Sequence, residues 1–211
     1  MEIVWVLPAV CALVDWYAVA RGDRRTELWA KPATLVGLIV VALVLGATDT
    51  SAGLWLLVGL ALGLAGDVFL LEKSDTRFRL GLAAFLLGHL AFVVSFTRLG
   101  VHPAGWSWLW GPVMFACLVG TRRVLPGAML HGGRALALPV AIYTVVIGAM
   151  VIMAFDTGEP LIALGAAVFA ASDSILAVDR FVRPRPWAPV AVMVTYHLSQ
   201  ALIVAGLLAA T

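Results

Sequence analysis

Eight long apolar runs follow one another along this chain, and short polar segments separate them. The runs cover residues 3–20, 33–48, 53–71, 80–97, 106–120, 136–154, 160–178 and 187–209. Most of them approach the ~20 residues that an α-helix needs to cross the ~30 Å hydrocarbon core of a bilayer. Hydrophobic residues make up 63% of the 211 residues and charged residues 12%, which is far too apolar for a soluble domain. The sequence therefore predicts an all-α, polytopic membrane protein with eight transmembrane helices.

The basic residues test this number of helices, because Lys and Arg collect in the cytoplasmic loops of membrane proteins. Of the 14 basic residues, all except Arg98 lie in alternate segments between the runs. They are Arg21, Arg24, Arg25 and Lys31 in the first segment; Lys73, Arg77 and Arg79 in the third; Arg122, Arg123 and Arg134 in the fifth; and Arg180, Arg183 and Arg185 in the seventh. We therefore expect these segments to face the cytoplasm of a bacterial-type plasma (inner) membrane, with both termini outside. The net charge of +2 reflects this topology, so we expect no nucleic-acid partner.

The two halves of the chain are similar when they are aligned at an offset of 106 or 107 residues, which pairs Asp67 with Asp173 and His89 with Tyr196. We interpret this as a duplicated four-helix unit, with repeats at 1–104 and 105–211 inside a single transmembrane domain. Because each unit has an even number of helices, the copies would be parallel and related by a pseudo-twofold axis along the membrane normal. This symmetry would place the two Asp side chains at matched depths beside one central cavity.

Three ionisable side chains, Asp67, His89 and Asp173, lie inside apolar runs, where such groups are costly and indicate a functional site. At ~1.5 Å per helical residue, both Asp side chains lie ~10 Å inside the cytoplasmic boundary and His89 lies near the midplane. Tyr196 and Gln200 are four residues apart, so they share one helix face. We predict that these five side chains form one polar cluster in a cavity open to the cytoplasm. The alternative for each is a structural hydrogen bond between helices.

Short motifs around these residues resemble those of a known family. They are Lys31-Pro32, Gly66-Asp67-Val68-Phe69-Leu70-Leu71, Phe85-Leu86-Leu87-Gly88-His89-Leu90, Ser172-Asp173-Ser174-Ile175-Leu176-Ala177, and Tyr196 with Gln200. In order and spacing, over nearly the whole chain, they resemble the lysoplasmalogenase-like (YhhN-like) membrane proteins. The resemblance implies a hydrolase that cleaves the vinyl ether bond of lysoplasmalogen, or of a related lyso-ether lipid. The products would be a fatty aldehyde and glycerophosphoethanolamine or glycerophosphocholine.

The polar residues suit vinyl ether hydrolysis for chemical reasons as well. The reaction begins with proton transfer to the β-carbon, which leaves an oxocarbenium-like centre for water to attack. It needs one protonated carboxyl group and one carboxylate, and two buried carboxyl groups can supply both, as in glycoside hydrolysis. We therefore predict that Asp67 and Asp173 are the acid/base pair, in either order, with His89, Tyr196 and Gln200 in supporting roles. We expect no metal and no cofactor.

The expected substrate is a lysophospholipid-type molecule from the surrounding membrane lipid, with its chain among the apolar helices. Lys31 directly precedes Pro32 at the predicted start of the second helix, and we expect it to bind the phosphate head. Asp15 and Asp179 lie near the cytoplasmic boundary, where we expect them to pair with loop arginines. The sequence leaves the oligomeric state open.

Two other functions also stay open at this stage. A proton-coupled transporter of a small or lipid-like solute could use the same Asp and His side chains as a proton relay. A metal-dependent lipid hydrolase could use Asp67, His89, Asp173 and His197 as ligands, although their spacing matches no familiar ligand pattern.

Overall fold

The computed structural model describes residues 2–72 and 74–211, and the regular structure in this part of the chain is entirely helical. Lys73, one of the basic residues counted above, lies outside the described residues. The α-helices of the described part are α1 (Val6–Arg21), α2 (Arg24–Val44), α3 (Ser51–Leu70), α4 (Asp75–Leu99), α5 (Trp110–Thr121), α6 (Val124–Gly132), α7 (Arg134–Asp156), α8 (Pro160–Phe181) and α9 (Ala188–Ala210). One-turn 3₁₀ helices precede α1, α3 and α5.

Seven helices of the described part are long and apolar enough to cross a membrane, and α5 with α6 would make an eighth crossing. Large apolar side chains on their outer faces, such as Leu13, Val145 and Leu198, are exposed as lipid-facing residues should be. The prediction of an all-α, polytopic membrane protein is therefore confirmed.

The fifth predicted crossing is a bent pair of helices. The axis turns by 42° between α5 and α6, at Arg122 and Arg123. The break places Pro126 in the first turn of α6, where its missing N–H donor costs no hydrogen bond. The fifth segment between the runs, which we expected to be a loop, is therefore largely helical, and that expectation was wrong.

The second helix begins at Arg24, well before the apolar run that predicted it. Gly22 ends α1 with a left-handed backbone (φ 67°), and Asp23 then caps α2 by accepting hydrogen bonds from the backbone N–H groups of Arg25 and Thr26. The Thr26 hydroxyl also donates a hydrogen bond to Asp23, and this bond contributes most to lowering the pKa of Asp23. The two backbone bonds lower it further. Lys31 consequently lies about two turns inside the helix, so the prediction that it stands at the helix start was wrong.

Two helix pairs, α3 with α4 and α8 with α9, pack especially closely because small residues line their contacts. A Cβ on Gly59 would stand 2.5 Å from the ring of Phe92, and a Cβ on Gly165 would stand 3.0 Å from the carbonyl oxygen of Ser199. Larger residues at these glycines would force the helices apart. The close pairs form a rigid frame that brings polar side chains of α3, α4, α8 and α9 to one place.

Candidate active site

Asp67, on α3, is an almost fully buried carboxyl group with a cation beside it. Its side chain is 1% exposed, and its Oδ1 lies 3.3 Å from Nζ of Lys31 on α2. Its Oδ2 accepts a hydrogen bond of 3.0 Å from the hydroxyl of Tyr196 on α9. An ammonium and a hydroxyl donor together favour the ionised form of a buried carboxyl group. Asp67 is thus placed to act as a carboxylate.

Asp173, on α8, has different surroundings. Its Oδ2 accepts a hydrogen bond of 2.5 Å from the hydroxyl of Tyr143 on α7, and His89 Nε2 lies 4.0 Å from the same oxygen. Among the described residues, no Lys or Arg forms an ion pair with it. Its side chain is 15% exposed. Without a cation to compensate a negative charge, this carboxyl group is suited to carry a proton.

His89, on α4, is held in a fixed orientation beside Asp173. Its Nδ1 donates to the carbonyl oxygen of Phe85 at 2.6 Å, since a carbonyl can only accept. The ring packs edge-on against Phe169 and Tyr143, with centroid distances of 4.6 and 5.3 Å. The remaining nitrogen, Nε2, has no hydrogen-bond partner among the described residues. His89 therefore presents an acceptor nitrogen toward Asp173.

The structure brings the predicted cluster together, and it adds one residue. Tyr196 contacts Asp67, and Gln200, which is fully buried, lies beside Tyr196 across from Gly63. Sequence reasoning missed Tyr143, which lies in an apolar run without a charged neighbour. The signal that the sequence offered was the rarity of tyrosine, since the chain has only 3 Tyr residues.

Two expectations about acidic residues need correction. Asp15 does not pair with a loop arginine; it is fully buried, and neither of its oxygens has a hydrogen-bond partner among the described residues. Its position on the buried face of α1 explains this, because that face packs against α2 and α9, whereas the loop residues Arg21 and Arg25 are exposed. Asp179 accepts a hydrogen bond of 2.6 Å from the backbone N–H of Arg185, so it contacts the main chain of that arginine and not its side chain.

Two cavities meet at Asp173. The first, of about 290 Å³, is the more polar of the two, because charged side chains interrupt its mainly apolar wall; we call it the polar cavity. It includes Lys31, Asp67 and Tyr196, and its other charged lining residues are Glu27, Glu72, Asp179 and Arg180. The second, of about 390 Å³, is apolar and lies between α4, α5, α6, α7 and α8, with Met114, Cys117, Tyr143, Thr144 and Ile147 among its lining residues. Phe85 and Asp173 belong to the walls of both cavities. An amphiphile could therefore place its polar and apolar ends in separate chambers.

The proposed metal ligands do not assemble in the described part of the chain, where no group of three or more His, Cys, Asp or Glu side chains could hold an ion. His197 instead accepts a hydrogen bond of 3.0 Å from Nε1 of Trp16, which ties α9 to α1.

Comparisons with known proteins identify the family of this chain. The lysoplasmalogenase of Mycobacterium tuberculosis (strain CDC 1551 / Oshkosh) is 35% identical over 156 residues, which are 72% of this chain and 59% of that protein. The lysoplasmalogenase TMEM86B of Homo sapiens is 26% identical over 201 residues, which are 94% of this chain and 84% of that protein. The match thus spans less than two thirds of the mycobacterial relative. No solved structure matches the chain at a significant level. The sequence profile of the YhhN family matches residues 26–207, and the chain therefore belongs to the YhhN family.

Proposed function

We propose that this protein is an intramembrane hydrolase that cleaves the vinyl ether bond of lysoplasmalogen, or of a related lyso-ether lipid. The observation that carries the proposal is a pair of carboxyl groups with unlike surroundings. Asp67 lies beside a cation in the first cavity, and Asp173, without a cation, lies where the two cavities meet. Relatives at 35% and 26% identity bear the name lysoplasmalogenase, which supports the same reaction here.

The two cavities suit a lipid with one chain and a phosphate head. The alkenyl chain would occupy the apolar cavity, and the head would lie in the polar cavity. Arg180, which lines both cavities and pairs with Asp75 at 2.9 Å, would bind the phosphate where the two cavities adjoin. The vinyl ether joins chain and head, so it would lie beside Asp173. The predicted role of Lys31 as a phosphate ligand stays a prediction, and the ammonium already faces Asp67 at 3.3 Å.

The surroundings of the two carboxyl groups differ, and this difference supports Asp173 as the acid and Asp67 as the base. Asp173, with its Oδ2 bound to Tyr143, would donate a proton from Oδ1 to the β-carbon of the vinyl ether. Asp67, with Lys31 beside it, would be the carboxylate that stabilises the oxocarbenium-like centre and activates water. Both groups would act without a metal or cofactor.

The proton transfers then close into a cycle. Asp173 gives its proton to the β-carbon, and water attacks the adjacent carbon while Asp67 takes a proton from that water. The hemiacetal collapses when its hydroxyl proton passes to the Asp173 carboxylate and the Asp67 proton passes to the departing glycerol oxygen. One water is consumed, one aldehyde and one alcohol leave, and both carboxyl groups return to their first state. His89 and Gln200 would orient the water, and Tyr196 would hold Asp67 in place.

The proposal is tested by measuring fatty aldehyde release by the purified protein in detergent. The substrates are an alkenyl lysophospholipid and the ester lysophospholipid with the same chain and head. We expect aldehyde only from the vinyl ether, and none with Asp173→Asn or Asp67→Asn. Asp156→Asn, at the far end of α7, is the matched control and should keep full activity.

Other outcomes would favour the alternatives. Full activity of folded Asp173→Asn would contradict the assignment of the acid. Activity lost to a strong chelator and restored by zinc would support a metal-dependent hydrolase. A folded protein that releases no aldehyde but moves protons with a solute across vesicle membranes would be a transporter.

A further inference from the structure

Asp15 is a third buried carboxyl group, and the proposed cycle of proton transfers does not use it. It lies on α1, is fully buried, and neither oxygen has a hydrogen-bond partner among the described residues. A buried polar group without a partner is costly, and an unpaired buried charge is more so. A native protein keeps such a group where a neighbour compensates it during at least part of its working cycle.

The neighbour that can compensate Asp15 is Lys31. α1 and α2 are joined by a short turn, so they run antiparallel, and they pack closely, since a Cβ on Gly37 of α2 would stand 3.0 Å from the Cβ of Pro8 on α1. Asp15 lies seven residues after Pro8, and Lys31 lies six residues before Gly37. Both are therefore about two turns from this contact, toward the same end of the helix pair.

Lys31 is engaged on one side only. Its nitrogen is paired with Asp67 at 3.3 Å, and within the described residues Asp15 forms no ion pair with it at the usual limit of 4.0 Å. His197 does not bind the ammonium, because its Nδ1 accepts a hydrogen bond from Trp16 and its Nε2 has no hydrogen-bond partner among the described residues. The Lys31 ammonium thus binds one carboxyl group, Asp67, and has a second, Asp15, at about its own level on the neighbouring helix.

We propose that Asp15 is a positioning residue that acts through Lys31, by giving the ammonium a second carboxylate while Asp67 carries a proton. The inference rests on the proposed function, in which Asp67 becomes neutral when it takes a proton from the attacking water. The ion pair is lost at that moment, while the ammonium stays buried. Asp15 then compensates its charge and keeps Lys31 close, so that Asp67 is again stabilised as a carboxylate once its proton has passed to the glycerol oxygen. Asp15 lines neither cavity, so it would not contact a substrate bound there.

A double-mutant cycle tests this role with Asp15→Asn and Lys31→Met, measured for kcat, KM and thermal unfolding in detergent. We expect Asp15→Asn to lower kcat roughly 10- to 100-fold, the range typical of partners that orient a functional group, with KM unchanged. In the Lys31→Met background the same substitution should cost nothing further, because residues that act as a unit are not additive. Asp15→Glu should recover part of the rate. Cys11→Ala, one turn earlier on the same buried face of α1, is the matched control.

Thermal unfolding of the four proteins gives a measure of the same coupling that needs no turnover. Shifts of Tm that are smaller in the double variant than the sum of the single variants support the pairing. Additive shifts, an unchanged kcat in Asp15→Asn, or equal losses of kcat in both Lys31 backgrounds would each overturn the role of Asp15. Absence of aldehyde release by the unmutated protein would overturn the proposed hydrolase instead, and the unfolding data would still decide whether Asp15 and Lys31 are coupled.

Discussion

The hydroxyl of Tyr143 offers a sharp test of which carboxyl group donates the proton. It donates a hydrogen bond of 2.5 Å to Asp173 Oδ2. In the proposed reaction Asp173 starts neutral and becomes negative as its proton moves to carbon, so this bond should strengthen in the transition state. A hydrogen bond contributes about 0.5–1.5 kcal/mol between neutral groups and about 1.5–3 kcal/mol to a charged one. The difference of about 1 kcal/mol corresponds to a loss of roughly fivefold to tenfold in kcat for Tyr143→Phe.

The other two of the 3 Tyr residues in the chain serve as matched controls, because their hydroxyl groups lie in different surroundings. Tyr196 donates to Asp67, which should be a carboxylate before the reaction and lose charge during it, so Tyr196→Phe should lower kcat less than Tyr143→Phe. Tyr17 is exposed on α1, and Tyr17→Phe should have no effect. All three variants are assayed for aldehyde release at saturating substrate, with thermal unfolding as the check on folding. A wild-type rate in Tyr143→Phe, or a larger loss in Tyr196→Phe, would refute the order of acid and base given above.

Three further predictions concern the cavity, the packing and the first loop. Thr144→Trp, in the wall of the apolar cavity, should lower kcat/KM for long alkenyl chains more than for short ones. Val145→Trp, which faces lipid, is the control and should not change kcat/KM for either. The same dependence of kcat/KM on chain length in both variants would contradict the placement of the alkenyl chain. Gly53→Ala should destabilise the protein by about 1–3 kcal/mol in thermal unfolding, because its Cβ would stand 2.1 Å from the carbonyl oxygen of Ala47, while Gly111→Ala, with nothing within 4 Å, should cost little. Asp23→Ala should lower Tm at neutral pH, because the ionised carboxylate of Asp23 stabilises the fold. The difference in Tm between the variant and the unmutated protein should shrink as pH falls through the lowered pKa of Asp23. A difference in Tm that persists in acid would exclude the charge of Asp23 as its cause.

The grouping of the candidate site residues was predictable from the sequence because a simple rule governs it. Ionisable residues inside apolar runs should face other helices, since lipid does not solvate them. The rule selects Asp67, His89 and Asp173; in the structure His89 lies 4.0 Å from Asp173, and Asp67 and Asp173 line one cavity. Their depth in the membrane and their catalytic roles stay predictions. Their individual partners were not predictable, since the rotation of one helix against another decides that Tyr143 meets Asp173 and Tyr196 meets Asp67.

The errors of the sequence reasoning have physical causes too. Hydropathy placed the start of α2 too late, because its first two turns are polar and begin at a cap rather than at an apolar residue. The same reasoning placed Asp15 among loop arginines, although helix periodicity turns it toward the protein interior. The duplicated four-helix unit and the cytoplasmic location of the basic segments stay predictions.

The most direct test of the account is the reaction of a vinyl ether substrate in D₂O. Proton donation by Asp173 to one face of the β-carbon should place one deuterium on carbon 2 of each fatty aldehyde in a single configuration. The aldehyde is trapped by reduction, and the configuration at carbon 2 is determined by NMR of a chiral ester of the resulting alcohol. Unlabelled aldehyde incubated with the protein in D₂O is the control for exchange. A single configuration at carbon 2, and no product from Asp173→Asn, is the predicted result. Equal amounts of both configurations would show that solvent, and not a positioned acid, protonates carbon 2, and they would contradict the central claim.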